Sequence, residues 1–333
     1  MIHDLDISLA EPTEAGPPIA PPVAPPIAMS VLEVLASPAE GSVLAVITGI
    51  VGSAYRPLGA MMRITPDHRR IGSLSSGCIE GDLALHADEA RAAGKSKIIR
   101  YGPGSPYMDI QLPCGGGLDV LLIPNPDEDE IAKAVALLRA REPATLRFDL
   151  ETGAIACGDD QPEARAGVDY DVAIQPEPKF YILGKGPEAC AFSAFVRALG
   201  YPHLLLSPDA ETVETCRAAG CDVSPLTSRG ADLGWIAPDR FSAVVLFFHD
   251  HDWEPEILKT LLPTPAFYVG AQGSETTRAN RVAALRALGV SERELARLKG
   301  PIGLVPSARD PRTLAVSVLA EILHEFPSRS EVH

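Results

Sequence analysis

No Cys-x-x-Cys pair occurs in this 333-residue chain, although it holds six cysteines, at 78, 114, 157, 190, 216 and 221. A structural zinc site of the usual spacing is therefore not expected. Six cysteines in a chain this long do not make a disulfide scaffold either, which points to reduced thiols and a cytoplasmic setting. Aromatic residues are scarce, at 5%. No apolar run is long enough to span a bilayer. The opening Met1-Ile2-His3-Asp4-Leu5-Asp6 lacks the basic and apolar regions of a secretory signal. Excess positive charge is missing as well: 29 Lys+Arg stand against 44 Asp+Glu, a formal charge of −15. Such a field does not attract nucleic acid or an anionic membrane, so neither is expected as a partner.

What is present is an ordinary globular composition, 46% hydrophobic and 22% charged, long enough for two cores. Residues 1–28 read as a disordered Pro/Ala-rich tail. The spaced Pro12, Pro17, Pro18, Pro21, Pro22, Pro25 and Pro26 forbid a helix and favour polyproline II. Residues 29–176 are expected to form a smaller α/β domain with a linker. In it, Ser42 to Ile50 and Met61 to Thr65 read as strands, as do Lys97 to Tyr101, Asp109 to Leu112 and Leu118 to Ile123. Leu83, Ala84, Ala87 and Ala90 predict a helix from Gly81 to Gly94. An amphipathic helix is predicted over Asp127 to Arg141, then a hairpin about Glu151-Thr152-Gly153 and a polar loop from Asp159 to Gly167.

From about residue 177 to 333 strands alternate with helices, the signature of a Rossmann-like, doubly wound parallel sheet. Lys179 to Leu183 leads into Gly184-Lys185-Gly186-Pro187-Glu188-Ala189, a G-x-G-x-x-A turn between strand and helix. That context suits a phosphate at the helix N-terminus, with Lys185 either meeting it or lying solvated. A dinucleotide fold wants an acid at the end of the second strand; Ser207 stands there, with Asp209 as the substitute. Phe241 to Phe248 reads as the central strand and ends in His249-Asp250-His251. His249 is a candidate ligand contact, and the His-x-His pair a weaker candidate for metal.

Two cysteines sit in glycine-rich turns: Gly77-Cys78-Ile79-Glu80 and Leu112-Pro113-Cys114-Gly115-Gly116-Gly117. Each has two readings, a small buried apolar residue or an exposed thiol with thiolate character. Cys78 falls just before a predicted helix start, which favours the second. The other four cysteines have no such setting and read as structural.

Together these motifs resemble the XdhC/CoxI family of accessory factors for molybdenum hydroxylases such as xanthine dehydrogenase. The resemblance runs from about Val43 to Glu325. It rests on Gly52 to Met61, on both cysteine motifs, on the Rossmann turn, on Tyr268 to Ser274, on Gly300 to Leu304 and on Ala315 to Ile322. It implies a chaperone that binds molybdenum cofactor, as molybdopterin or its nucleotide form. Such a chaperone assists sulfuration with a cysteine desulfurase and inserts the cofactor into an apo-enzyme, often as a homodimer. Cys78 and Cys114 would then approach each other, carry the chemistry and contact molybdenum. Cofactor contacts would come from Arg56, Gly77, Glu80, Gly115, Gly116, Gly184, Lys185, Gly186, His249 and Ser274. The chain departs from the family at Ser207, Pro187, Glu188 and Val305-Pro306-Ser307. The competing readings are an NAD(P)-dependent oxidoreductase and a nucleotide-sensing module.

Overall fold

A computed structural model describes residues 30–75, 77–105, 115–158, 168–229 and 233–326. The proline-rich tail, the expected strand Asp109 to Leu112, Cys114 and the loop 159–167 lie outside these residues.

The N-terminal part begins with α1 (Val31–Leu35). Next come β1 (Val43–Val51), β2 (Met61–Ile64), β3 (Arg70–Gly72), α2 (Glu80–Ala93), β4 (Lys97–Tyr101), β5 (Gly117–Pro124) and α3 (Glu128–Arg139). Its five strands form an antiparallel sheet in the order β3-β2-β1-β5-β4. The unbroken apolar run of β1 follows from coverage on both faces. Val43, Ala45 and Ile47 pack toward α2, whereas Leu44 and Val46 join α1 and α3 on the opposite face. The second face also receives a small antiparallel sheet, β7-β6-β8, built from β6 (Ala144–Asp149), β7 (Ile155–Cys157) and β8 (Asp169–Ile174).

The C-terminal part runs β9 (Lys179–Gly184), α4 (Pro187–Ala198), β10 (His203–Ser207), α5 (Ala210–Ala218), β11 (Val223–Pro225) and β12 (Ser242–Phe247). It continues with α6 (Glu254–Leu261), β13 (Tyr268–Ala271), α7 (Glu275–Ala287), α8 (Glu292–Leu295), β14 (Leu298–Lys299) and α9 (Pro311–Glu325). All six strands are parallel, in the order β11-β10-β9-β12-β13-β14. This is the doubly wound Rossmann order, with its switch point between β9 and β12. Strand residues again divide by period two: Val244 and Leu246 face α6 and α7, while Ala243, Val245 and Phe247 face α4, α5 and α9.

The two parts meet through Arg141, just past α3. Its guanidinium donates to Asp239 (2.7 Å) and to the carbonyls of Glu177 (2.6 Å) and Phe241 (3.1 Å). This fork ties the end of α3 to the approach to β12.

The sequence reading assigns no element to β3, β8, α6, α8 or β14, and two of these are instructive. β8 occupies residues to which the pattern assigns no element, because Asp169 and Asp171 mask the inward alternation of Val172 and Ile174. The pattern assigns none to α6 either. Pro255 interrupts its start, yet it lies in the first turn, where a missing N–H costs nothing.

Candidate functional site

Cys78 is exposed, one residue before the Ile79 cap of α2. The buried reading of this thiol is thereby excluded. No side chain caps the helix. The turn is shaped instead by Glu80, whose carboxylate is folded inward and nearly inaccessible. It accepts hydrogen bonds from Ser75 N (2.7 Å), Ser75 Oγ (2.5 Å), Ser73 Oγ (3.1 Å), Leu74 N (3.3 Å) and Ile79 N (3.3 Å). Burial raises its pKa, but the bonds from Ser75 and Ser73 outweigh burial and hold the carboxyl below the usual glutamate range. The Ser75 hydroxyl also accepts from Cys78 N (3.0 Å). Glu80 therefore presents the thiol, with its own acceptor capacity taken up by the loop.

The glycines around Cys78 are open. Gly77 has φ +95°, which glycine adopts at low cost, and a Cβ there would touch no described residue within 4 Å. Gly81 lies inside α2 with no positive φ, and a Cβ there would also meet no described residue. Among the described residues neither backbone nor packing calls for glycine at 81, and its helical cost is unrelieved there. Open glycines beside an exposed thiol leave room for a flat ligand to approach the backbone.

Gly115 is similarly open, whereas a Cβ on Gly116 would lie 2.0 Å from the Ser53 carbonyl oxygen. Gly116 thus packs its loop against the end of β1. Arg56 is half-exposed in the loop between β1 and β2. The expected approach of Cys78 to Cys114 falls outside the described residues.

A second cluster forms at the switch point. A Cβ on Gly184 would come within 2.4 Å of the Phe247 carbonyl oxygen, so glycine permits the close approach of β9 and β12. Gly186 (φ +84°) caps α4, and its N–H donates to Thr212 Oγ1 (2.9 Å). Thr212 in turn donates to Asp209, which also accepts from Thr212 N (2.8 Å) as the cap of α5. The Thr212 contacts hold Asp209 below the usual carboxylate range. Asp209 is thus engaged as a helix cap rather than presented to a ribose, and Ser207 is buried. Pro187 contributes no N–H. His249 Nε2 lies 3.2 Å from Glu188 Oε2, and Lys185 Nζ 3.9 Å from Asp250. Gly184, Lys185, Gly186 and His249 are therefore neighbours, but a carboxylate shares the turn expected to hold phosphate.

Ser274 is the exposed N-cap of α7, accepting from Thr277 N. Near it, a cavity of about 490 Å³ is lined by Arg229, Asp252, Glu254, Thr277, Asn280 and Arg281. Its charges are internally matched: Arg281 with Glu254 (2.8 Å) and Arg229 with Asp252 (3.0 Å). No group of three or more His, Cys, Asp or Glu side chains placed for a metal ion occurs among the described residues. No described helix is long and apolar enough to cross a membrane.

Two family models match: "XdhC and CoxI family" over residues 35–102 and "XdhC Rossmann domain" over 180–322. The chain is 34% identical over 292 residues to the molybdenum cofactor insertion chaperone PaoD of Escherichia coli K12, covering 87% of this chain and 85% of that protein. It belongs to the XdhC/CoxI family. A protein of Bacillus subtilis 168 described as a probable xanthine dehydrogenase subunit is 25% identical, over 88% of this chain and 96% of its own. A crystal structure titled as a xanthine dehydrogenase from Bacillus halodurans superposes with a TM-score of 0.75. It covers 90% of this chain and 96% of that chain, and at 22% identity it shows the shared fold.

The family motifs of the C-terminal part have a packing account. A Cβ on Gly270 would collide with Tyr268 and Ile302, and one on Gly303 with Ser317. Glu321 accepts from Gly303 N and from Tyr268 Oη (2.8 Å). Among the described residues no such packing surrounds the motif at Gly77 and Cys78. Sequence reasoning missed Ser73, Ser75 and Thr212; the signal for Thr212 was its place three residues after a helix-capping Asp.

Proposed function

We propose that this chain is a maturation factor for a molybdenum hydroxylase, taking molybdenum cofactor as cargo at the α2 turn and passing it to the apo-enzyme. The observation that carries this reading is the exposed Cys78 thiol on an open glycine turn, organised from behind by Glu80. A thiolate is a soft ligand suited to molybdenum or to transferable sulfur. Open backbone at Gly77 and Gly81 leaves space for a planar pterin. The name of the Escherichia coli relative as an insertion chaperone supports the same reading.

In this proposal the part spanning 29–176 carries the thiol chemistry. The part from 177 to 333 holds the nucleotide or phosphate end of the cargo, or the partner. Cys114 joins Cys78, and a cysteine desulfurase supplies the sulfur, in the cytoplasm and with the chain acting as a homodimer. The engagement of Asp209 as a cap weighs against an NAD(P)-dependent oxidoreductase.

The test is reconstitution of an apo molybdenum hydroxylase with cofactor-loaded chain, alongside mass spectrometry of the ligand it releases. Release of a pterin, with activation lost in Cys78→Ala, is the expected result. Release of a nicotinamide dinucleotide, or full cofactor binding and activation by both Cys78→Ala and Cys114→Ala, overturns it.

A further inference from the structure

Three cysteines that the proposed function does not use lie close together in the Rossmann part. Cys190 is in the first turns of α4, Cys216 in the last turn of α5, and Cys221 just beyond. Cys190 Sγ and Cys216 Sγ are 3.3 Å apart, and both are free thiols. Cys216 is buried, while Cys190 is only partly covered.

The contact is one rung of a ladder. Four residues before Cys190 is Gly186, and four before Cys216 is Thr212. These two also touch, through the 2.9 Å bond from Gly186 N to Thr212 Oγ1. Residues four apart share a helix face, so α4 and α5 meet along one seam, polar at one rung and thiol at the other. The polar rung holds the two helices together one turn away from the sulfurs.

We propose that Cys190 and Cys216 are an oxidation site, closing reversibly to a disulfide when the chain meets a hydroperoxide. Cys190, the less covered of the two residues, supplies the sulfur that attacks the peroxide, and the O–O bond breaks. An alcohol or water leaves, and Cys190 becomes a sulfenic acid. The Cys216 sulfur then displaces that oxygen as water. In sum, two thiols lose two electrons and two protons, and the peroxide gains them. To reach disulfide length the sulfurs close by about 1.3 Å.

The order of attack follows from the surroundings. Burial, and then the hydrogen bond with Cys190, push the Cys216 thiol up to about 12, so Cys216 is the second sulfur to react. The contribution from Cys190 disappears once Cys190 is oxidised. A metal site is the weaker use of these thiols, since no metal-holding group of three occurs among the described residues. The bond would lock the first turns of α4 to α5 and fix the glycine turn at the switch point.

The experiment treats the reduced full chain with hydrogen peroxide, blocks remaining thiols with iodoacetamide, and maps the digest by mass spectrometry. A cross-linked Cys190–Cys216 peptide pair, two hydrogens lighter than its free thiols and lost on dithiothreitol treatment, is expected. Cys216→Ala, which adds no buried hydroxyl, should leave a Cys190 sulfenic acid that dimedone captures. A Cys190–Cys221 link, or both thiols recovered free after Cys78 has been oxidised, overturns the proposal. The wild-type map decides even if a variant fails to fold.

Discussion

Two glycine turns in this molecule each deliver the chain into a helix with no side-chain cap, and they are built in opposite ways. At Gly184 to Ala189 the glycines serve the fold. Gly184 lets β9 and β12 touch, and Gly186 gives its N–H to Thr212. At Gly77 to Gly81 a Cβ on either glycine would meet no described residue, and a buried carboxylate holds the loop from behind. A glycine that packing requires reports on the fold. Gly77 is held to glycine by its φ of +95°, but Gly81 has no positive φ and no contact with a described residue, so among the described residues nothing in the fold calls for it. That contrast supports the proposal of a cargo site at the N-terminal turn, although the C-terminal turn carries the more familiar motif.

Breaking the structural side of the contrast should cost most. Glu254 and Arg281 form a fully buried pair at the floor of the α6–α7 cavity. Glu254→Ala strands a buried guanidinium and should lower the unfolding free energy by about 3–5 kcal/mol in urea titration. Gly184→Ala pushes a Cβ against the Phe247 carbonyl and should cost about 1–3 kcal/mol by the same measurement.

Glu80 is the point where the open turn touches the fold. Glu80→Gln weakens charge-assisted hydrogen bonds worth about 1.5–3 kcal/mol and should loosen the Cys78 loop in hydrogen exchange. Its folded pKa is depressed, so its contribution is complete above the unfolded glutamate pKa. That contribution is lost as pH falls through the lower folded value. Wild type should therefore lose more stability than Glu80→Gln across the acid limb, with the two curves converging below that value. Parallel curves would show that Glu80 is not charged in the loop.

The open side should respond with the opposite pattern. Gly81→Ala should stabilise the fold by about 0.5–1 kcal/mol, because alanine suits a helix and meets no neighbour. Cofactor capture should nevertheless fall in an equilibrium binding assay. Gly81→Ala with unchanged capture would remove the argument for ligand approach at α2. Cys78→Ser should be smallest in stability, within about 0.5 kcal/mol of wild type as an exposed substitution, while client activation is lost.

Much of the architecture was legible because strands covered on both faces must read as unbroken apolar runs, as Ser42 to Ile50 and Phe241 to Phe248 do. Helix ends were legible where capping chemistry is local. Asp310 before Pro311 and Gly94 after α2 both behave as their neighbours dictate. β8 was hidden because its inward residues are few and its outward ones charged. Of the candidate site, the position of Cys78 at a helix start followed from local pattern, but its exposure did not.

The linear chain by itself determined most of the strands and helices, the doubly wound parallel character of the Rossmann part, and the place of one thiol at a helix start. Period and capping are set by neighbours a few residues apart. Only the tertiary structure decided that Glu80 turns inward, that Asp209 is engaged by Thr212, and that Cys190 meets Cys216. Those outcomes depend on which hydrogen-bond donors and which helix faces packing brings together, and sequence spacing does not encode that.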